Sequence, residues 1–372
     1  MQIKISDLEQ LILSLVKTLL SKNLAFCVYR FPHENHLRVA VDPVLVCDKS
    51  GGDLKIAPFA RGSAAAPFGL KRLRGASEIQ KLLDQIDFLP DSPLSYGNLP
   101  VEIGREGYNQ QIRKYLKAIE SGNVQKAILS RVIILEKPTH FYPADTFKRL
   151  VNRYPGTLAY LFYHQKGGMW MGATPELLFR KEGDVFFTLA LAGTQPRKED
   201  GLYTWRPKET DEQAMVEAHI EDVFRKYNCK IRKKEGPHTV EAAHVAHLGT
   251  DYVFEGNEKV NTEALLAALH PTPAVGGIPL DESLQLIKQT EGYDRAYYSG
   301  FISEESETGN MTVYVNLRCM QIGSDKVAVY VGGGITAGSD PDEEWNETIA
   351  KSKTMADVLQ PAAEEYKHEV IG

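Results

Sequence analysis

Two carboxylate pairs stand at one-turn spacing in this sequence: Glu209 with Glu212, and Glu344 with Glu347. Residues three or four apart share a helix face, so each pair presents its oxygens in one direction, and Lys351 continues the second face. Just before that second helix runs Val327-Ala328-Val329-Tyr330-Val331, a short apolar strand, and then Gly332-Gly333-Gly334. Three residues without Cβ let the backbone approach a bound group closely. Two such helices could hold one hard cation between them. Oxygen ligands in a partly watered site are what Mg²⁺ prefers. The bland alternative is a solvated helix face, with Glu347 and Lys351 as an ordinary i,i+4 ion pair.

Other charges stand singly among apolar residues. Lys126 opens the strand pattern Gln125 to Leu135. It is either a snorkelling lysine or a desolvated one whose lowered pKa lets it act as a base. Glu176 follows Thr174-Pro175 between apolar strands. It is either a turn carboxylate or an acid kept protonated by its surroundings. Arg318 could clamp a carboxylate bidentately. His247 and His270 read equally as site residues or as satisfied core histidines. There is no CxxC, HExxH, P-loop or GxGxxG pattern.

The elements that must position these groups are legible mainly after Glu106. Helical spacing covers Tyr108 to Ser121, Thr146 to Arg153, Glu209 to Tyr227, Thr262 to Leu269 and Asp281 to Gln289. Another helix follows the glycines, with Asp340 as N-cap and Pro341 at its first position. Strand patterns cover Thr157 to Tyr163, Met169 to Gly172, Leu177 to Phe179, Val185 to Phe187, Val245 to Leu248, Asp251 to Phe254, Ala296 to Ile302 and Thr312 to Ile322. Leu191 to Arg197 reads as a Gly/Pro-bounded loop, and His270 to Pro279 as a rigid one. Strands arriving in groups favour an α+β fold with large, mostly antiparallel sheets over a doubly wound parallel one. Earlier, a capping box at Ser6 to Glu9 opens a helical pattern to Leu19, and Leu24 to Arg30 looks like a strand, but from Phe31 to about Pro100 the signals are weak. The first hundred residues show no chemistry and are expected to pack on a face of the main body.

The 372 residues are 43% hydrophobic and 25% charged, which is ordinary globular composition. One large domain is expected over residues 1–372. A formal net charge of −6 offers no global attraction to nucleic acid or an anionic membrane, so an anionic substrate needs a local positive site. Four cysteines without CxxC spacing suit reduced thiols. No apolar run approaches the roughly 20 residues of a membrane span. The cytoplasm is the expected compartment.

Taken together, these residues resemble one family. The motifs are Lys126-Ala127-Ile128-Leu129-Ser130-Arg131, Gly172 to Leu178, Leu191-Ala192-Gly193-Thr194, His247-Leu248, Leu269 to Gly277, Asp294-Arg295 with Tyr298-Ser299-Gly300, Leu317-Arg318-Cys319, and Val327 to Met355. In this order and spacing they resemble the chorismate-utilising enzymes, and within them the isochorismate synthases, over roughly Tyr108 to Leu359. The resemblance implies two stacked sheets flanked by helices, a cleft near their interface, and a chorismate-binding core over 106–360. It implies Lys126 as the base activating water and Glu176 as the acid protonating the departing hydroxyl. It implies Glu212 and Glu347 as Mg²⁺ ligands, assisted by Glu209 and Glu344. Arg318 and Tyr298 match residues that hold the enolpyruvyl carboxylate. Thr194, Lys351 and the amides of the Gly332-Gly333-Gly334 loop match further substrate contacts, and His247 lines the ring site. Gln213, Gln195, Lys198 and the middle glycine, Gly333, depart from the usual pattern without removing a proposed catalytic group.

Anthranilate synthases and aminodeoxychorismate synthases use ammonia and work with a glutaminase, and anthranilate synthases typically carry glutamine where Lys126 stands. Lysine implies water instead, and no glutaminase subunit is expected. Salicylate synthases share the lysine and glutamate and then eliminate pyruvate. Apolar Ala274 and Val275 favour stopping at isochorismate. A non-catalytic binder of an anionic metabolite is the alternative outside the enzymes. A monomer is expected, on resemblance only.

Overall fold

The structure, a computed structural model, describes residues 5–48, 52–60, 63–242 and 245–359. In chain order the first elements are α1 (Ile5–Ser21), β1 (Phe26–Arg30), β2 (Arg38–Val41), β3 (Leu54–Ala57), β4 (Phe68–Arg72), α2 (Ala76–Ile86), α3 (Arg105–Glu120), β5 (Lys126–Glu136), α4 (Pro143–Arg153), β6 (Leu158–His164), β7 (Gly168–Thr174), β8 (Leu177–Glu182) and β9 (Val185–Pro196). Then follow α5 (Pro207–Lys226), β10 (Lys230–Ala242), β11 (Val245–Glu255), α6 (Thr262–Leu269), β12 (Gly277–Ile278), α7 (Leu280–Thr290), β13 (Phe301–Glu305), β14 (Met311–Val315), β15 (Cys319–Ile322), β16 (Lys326–Ile335) and α8 (Pro341–Leu359). Among the described residues no helix is long and apolar enough to cross a membrane.

Strand alternation decides the layers. Along β6, Ala159, Leu161 and Tyr163 join one apolar cluster with α1, α2, α4 and α8, while Leu158, Tyr160 and Phe162 join another. Both faces of this strand are buried, so its period-2 pattern separates two cores rather than core from solvent. The second cluster also takes Leu54, Ile56, Ile302 and Tyr314 from β3, β13 and β14. It is the filling between two facing sheets. A third cluster lies on the far side, where Phe179, Phe186 and Phe254 meet Val216, Ile220 and Phe224 of α5. The architecture is the expected α+β fold with antiparallel sheets flanked by helices. The strand order is β10-β11-β9-β8-β14-β13-β3-β4-β2-β1-β6-β7-β15-β16-β5-β12.

Four readings of the sequence change. The first hundred residues do more than pack on a face of the body, as α1 and α2 do: β1 pairs β6, β3 pairs β13, and β4 pairs both β2 and β3, joining the two sheets. Leu191 to Pro196 is not a loop but the end of β9, held by register with β11. The stretch Ala296 to Ile302 is not one strand; Ala296 and Ser299 turn through positive φ, and β13 begins at Phe301. The stretch Thr312 to Ile322 is two strands, in different sheets, broken at Asn316-Leu317-Arg318, where Arg318 has φ 49°. The sequence reading also passed over β10, whose Lys230, Arg232, Lys233 and Lys234 hide a strand signal. Charge on an outermost strand discourages pairing with another chain.

A buried ion pair ties the floor of the cleft together. Arg295 donates to Glu291 at 2.8 and 2.5 Å, to Val275 O at 2.8 Å and to Ile128 O at 2.8 Å, while Ser130 N donates to Glu291 at 2.7 Å. Arg295 and Glu291 are 2% and 1% exposed at their side chains. Removing one partner strands a charge away from water. Glu291→Ala is therefore expected to lower unfolding free energy by about 3–5 kcal/mol, measured by urea denaturation.

Candidate active site

Lys126 begins β5, where the strand lies between β16 and the two-residue β12. Its backbone is fixed on that side: Gln125 N donates to Ile278 O at 2.7 Å and Ser283 Oγ donates to Lys126 O at 3.1 Å. Gly277 permits this close approach, since a Cβ there would sit 2.3 Å from Lys126 O and its φ is +143°. Lys126 is 2% exposed, and its ammonium has no ion-pair partner among the described residues. It is an interior strand residue, not an edge one.

Glu176 stands on the turn leaving β7. Thr174 Oγ1 donates to Val315 O at 2.6 Å and accepts from Glu176 N at 3.2 Å, while Val315 N donates to Glu176 O at 2.9 Å. The backbone is thus pinned to β14 while the carboxyl turns into a cavity. Burial pushes its pKa up to about 7; Arg318, Lys351 and Lys126 pull the other way and only limit the rise. At neutral pH such a carboxyl is divided between its protonated and ionised forms.

Arg318 is held where the chain crosses between sheets. Its Nη2 donates to His247 Nε2 at 3.2 Å, and His247 Nδ1 donates to Gly193 O at 3.0 Å, with Thr194 Oγ1 at 3.2 Å from the same nitrogen. Burial first, then Arg318 and Lys351, depress the His247 pKa to about 3, so the ring is neutral and can accept from the guanidinium. Arg318 Nη1 is buried without a hydrogen-bond partner among the described residues. A desolvated donor left unpaired is costly, and an anionic ligand would satisfy it. His270 belongs elsewhere, donating from Nε2 to Ser299 O at 2.8 Å as a neutral core histidine.

The three glycines are strand, not loop: Gly332, Gly333 and Gly334 pair with Ser130, Leu129 and Ile128 of β5. Their lack of side chains keeps space free. A Cβ on Gly334 would lie 2.7 Å from Lys126 Cε and 3.0 Å from Glu212 Oε1; one on Gly332 would lie 3.0 Å from Tyr298 OH. The α8 helix that follows is capped as expected, Asp340 Oδ1 accepting from the amides of Asp342 and Glu343. Lys351 donates to Glu347 at 2.6 Å and to Gly332 O at 3.0 Å.

These elements enclose about 770 Å³ of empty space, part of it open solvent. Its walls include Lys126, Glu176, Thr194, Glu212, His247, Ala274, Val275, Tyr298, Arg318, Gly332, Gly333, Gly334, Glu347 and Lys351. Two of the candidates are not on the wall. Glu209 is taken by Arg206 at 2.7 Å, within the first turn of α5, and Glu344 by Lys208 at 2.5 Å. Among the described residues no three His, Cys, Asp or Glu side chains form a ready-made metal cage. The donors available to a cation are Glu212 and Glu347, with the unpartnered buried Oε2 of Glu344 behind them. The sequence reading missed the apolar walls Ile128, Leu317 and Tyr330. Only strand alternation could have found Tyr330, which shares its face with Gly332 and Gly334. Gln213, a departure from the family pattern, points away from the cavity and donates to Ala190 O at 3.0 Å.

The family model for chorismate binding enzymes matches residues 58–360. The chain belongs to the chorismate-binding enzymes. It is 28% identical over 260 residues to isochorismate synthase EntC of Escherichia coli, covering 68% of this chain and 66% of that relative's length. It is 30% identical over 263 residues to the putative isochorismate synthase MenF of Mycobacterium tuberculosis, covering 66% of this chain and 70% of that protein. Its fold matches the crystal structure of a putative 2,3-dihydroxybenzoate-specific isochorismate synthase, DhbC, from Bacillus anthracis. That match has a TM-score of 0.71 and 22% identity, over 93% of this chain and 99% of the other. The cavity sets three basic side chains, Lys126, Arg318 and Lys351, beside three carboxylic ones, Glu176, Glu212 and Glu347, under apolar walls.

Proposed function

We propose that this chorismate-binding enzyme converts chorismate to isochorismate, in the cytoplasm, for menaquinone or siderophore biosynthesis. The observation that carries the reading is that buried Lys126 and the proton-holding Glu176 open onto one cavity together with the unpaired Arg318 donor. The names of the relatives agree with it.

Lys126 takes a proton from a water as that water bonds to C2 of the ring. Glu176 gives its proton to the C4 hydroxyl, which departs as water, and the double bonds shift. One water enters and one leaves, so the product is an isomer. Return of a proton from Lys126 to Glu176 resets the site. Arg318 Nη1 and Tyr298 hold the enolpyruvyl carboxylate. Glu212 and Glu347 are the residues that would hold Mg²⁺, with Glu209 and Glu344 one layer out. Carboxylate oxygens with room for water suit that ion, which commonly uses one or two protein carboxylates. When bound, it supplies positive charge for the ring carboxylate. Ala274 and Val275 keep the wall near the ring apolar, which disfavours a further elimination.

The test is to incubate the protein with chorismate and Mg²⁺ and follow isochorismate by chromatography, with a coupled assay for pyruvate. Isochorismate without pyruvate is expected. Stoichiometric pyruvate would make the protein a salicylate synthase, and tight binding without turnover would make it a binder.

The pH profile is a further expectation. A carboxyl raised to about 7 keeps its proton below that pH and loses it above. The acid form is the active one, so kcat/KM, which reports the free enzyme, should fall as pH rises through about 7. Glu176→Gln should lack that descending limb in its residual activity.

A further inference from the structure

Three of the four carboxylates assigned above to the cation site already have a protein cation: Glu209 has Arg206 at 2.7 Å, Glu347 has Lys351 at 2.6 Å and Glu344 has Lys208 at 2.5 Å. These pairs differ in kind. Arg206 and Glu209 form a capping box, with Arg206 N also donating to Glu209 Oε2 at 2.8 Å, so both groups serve the start of α5. Lys351 is anchored a second time on Gly332 O and lines the cavity, where substrate can reach it. Lys208 has neither duty. It sits one residue after Pro207 at the start of α5 and reaches across to α8, with its side chain 16% exposed and that of Glu344 1% exposed. It occupies only Oε1. The other oxygen, Oε2, is buried and unpartnered, 2.8 Å from where a Cβ on Gly333 would stand. A side chain at that position would press on the oxygen, and glycine avoids this.

We propose that Lys208 is a tethered counter-cation for Glu344, which competes with the divalent cation and sets the concentration at which the metal site fills. The inference rests on the reading of Glu212, Glu347 and Glu344 as that site. A like charge held against one of the donors raises the energy of bringing in a second cation. Without a metal it neutralises a carboxylate that is otherwise buried beside Glu347. The ammonium therefore stabilises the metal-free protein and weakens metal binding at once.

The experiment is Mg²⁺ titration by calorimetry, with the thermal midpoint measured with and without Mg²⁺, on the full chain as wild type, Lys208→Met, Lys208→Arg and Glu347→Gln. Lys208→Met should bind Mg²⁺ about tenfold or more tightly, melt lower without metal, and gain a larger Mg²⁺-induced rise in midpoint. Lys208→Arg, which keeps the charge, should stay close to wild type. Should the methionine variant not fold, Lys208→Gln replaces it with the same expectations. Unchanged or weaker Mg²⁺ affinity on removing the charge, with wild-type binding abolished by Glu347→Gln, overturns this inference alone. Wild-type Mg²⁺ binding that is absent, or indifferent to Glu347→Gln, overturns the metal site and the inference with it.

Discussion

Lys126→Ala and Glu176→Ala should each lower turnover of chorismate by about 10²–10⁴-fold, the usual worth of a positioned base or acid, with the fold intact. Both residues are held by backbone contacts that the substitutions leave in place: the β5 ladder and Ser283 for Lys126, Thr174 and Val315 for Glu176. Neither side chain closes an ion pair among the described residues that its loss would break. Each truncation removes a polar group that is costly to bury, so thermal midpoints should not drop. Isochorismate formation under substrate saturation, with circular dichroism melting as the control, checks both. A near-normal rate in either variant sinks the assignment.

Arg318→Gln should cut kcat/KM by about 10²-fold or more, in line with truncating one side of a buried charge pair. Most of this loss belongs in KM, since the guanidinium holds a carboxylate that does not react. The backbone adds a means of isolating that effect. Arg318 has φ 49°, a region that a non-glycine residue adopts at a cost of about 1–3 kcal/mol. Arg318→Gly relieves that cost while removing the same donor. It should match Arg318→Gln in kcat/KM and melt higher than it does. Equal kcat/KM for wild type and both variants would show that Arg318 does not hold the substrate.

The sequence carried the chemistry of the site further than its scaffold. Lys126, Glu176, Glu212 and Glu347 were legible because an isolated charge in an apolar strand, or a carboxylate repeat on a helix, is anomalous on its own terms. Glu209 and Glu344 shared the spacing but not the place. Their partners, Arg206 and Lys208, lie at the start of α5, and periodicity cannot show which cation reaches which carboxylate. Gly332 to Gly334 read as a loop because glycine disfavours strands; pairing with β5 outweighs that preference. Pro196 and Gly193 misled in the same way at the end of β9, where β11 fixes the register. The crossing at Arg318 was invisible because Val315 and Cys319, four residues apart, sit in strands of different sheets with equally apolar surroundings. The role of β1 and β3 depends on partners far along the chain, β6 and β13.

That role limits how this protein can be taken apart. The stretch matched by the family model begins after β3, yet one edge of β6 pairs with β1 and one edge of β13 pairs with β3. A fragment starting at the recognisable boundary would keep the reacting groups and orphan two strand edges in mid-sheet. The segment β1 to β4 is thus the join between the two sheets, and chimaeras with relatives should be spliced outside it rather than at it.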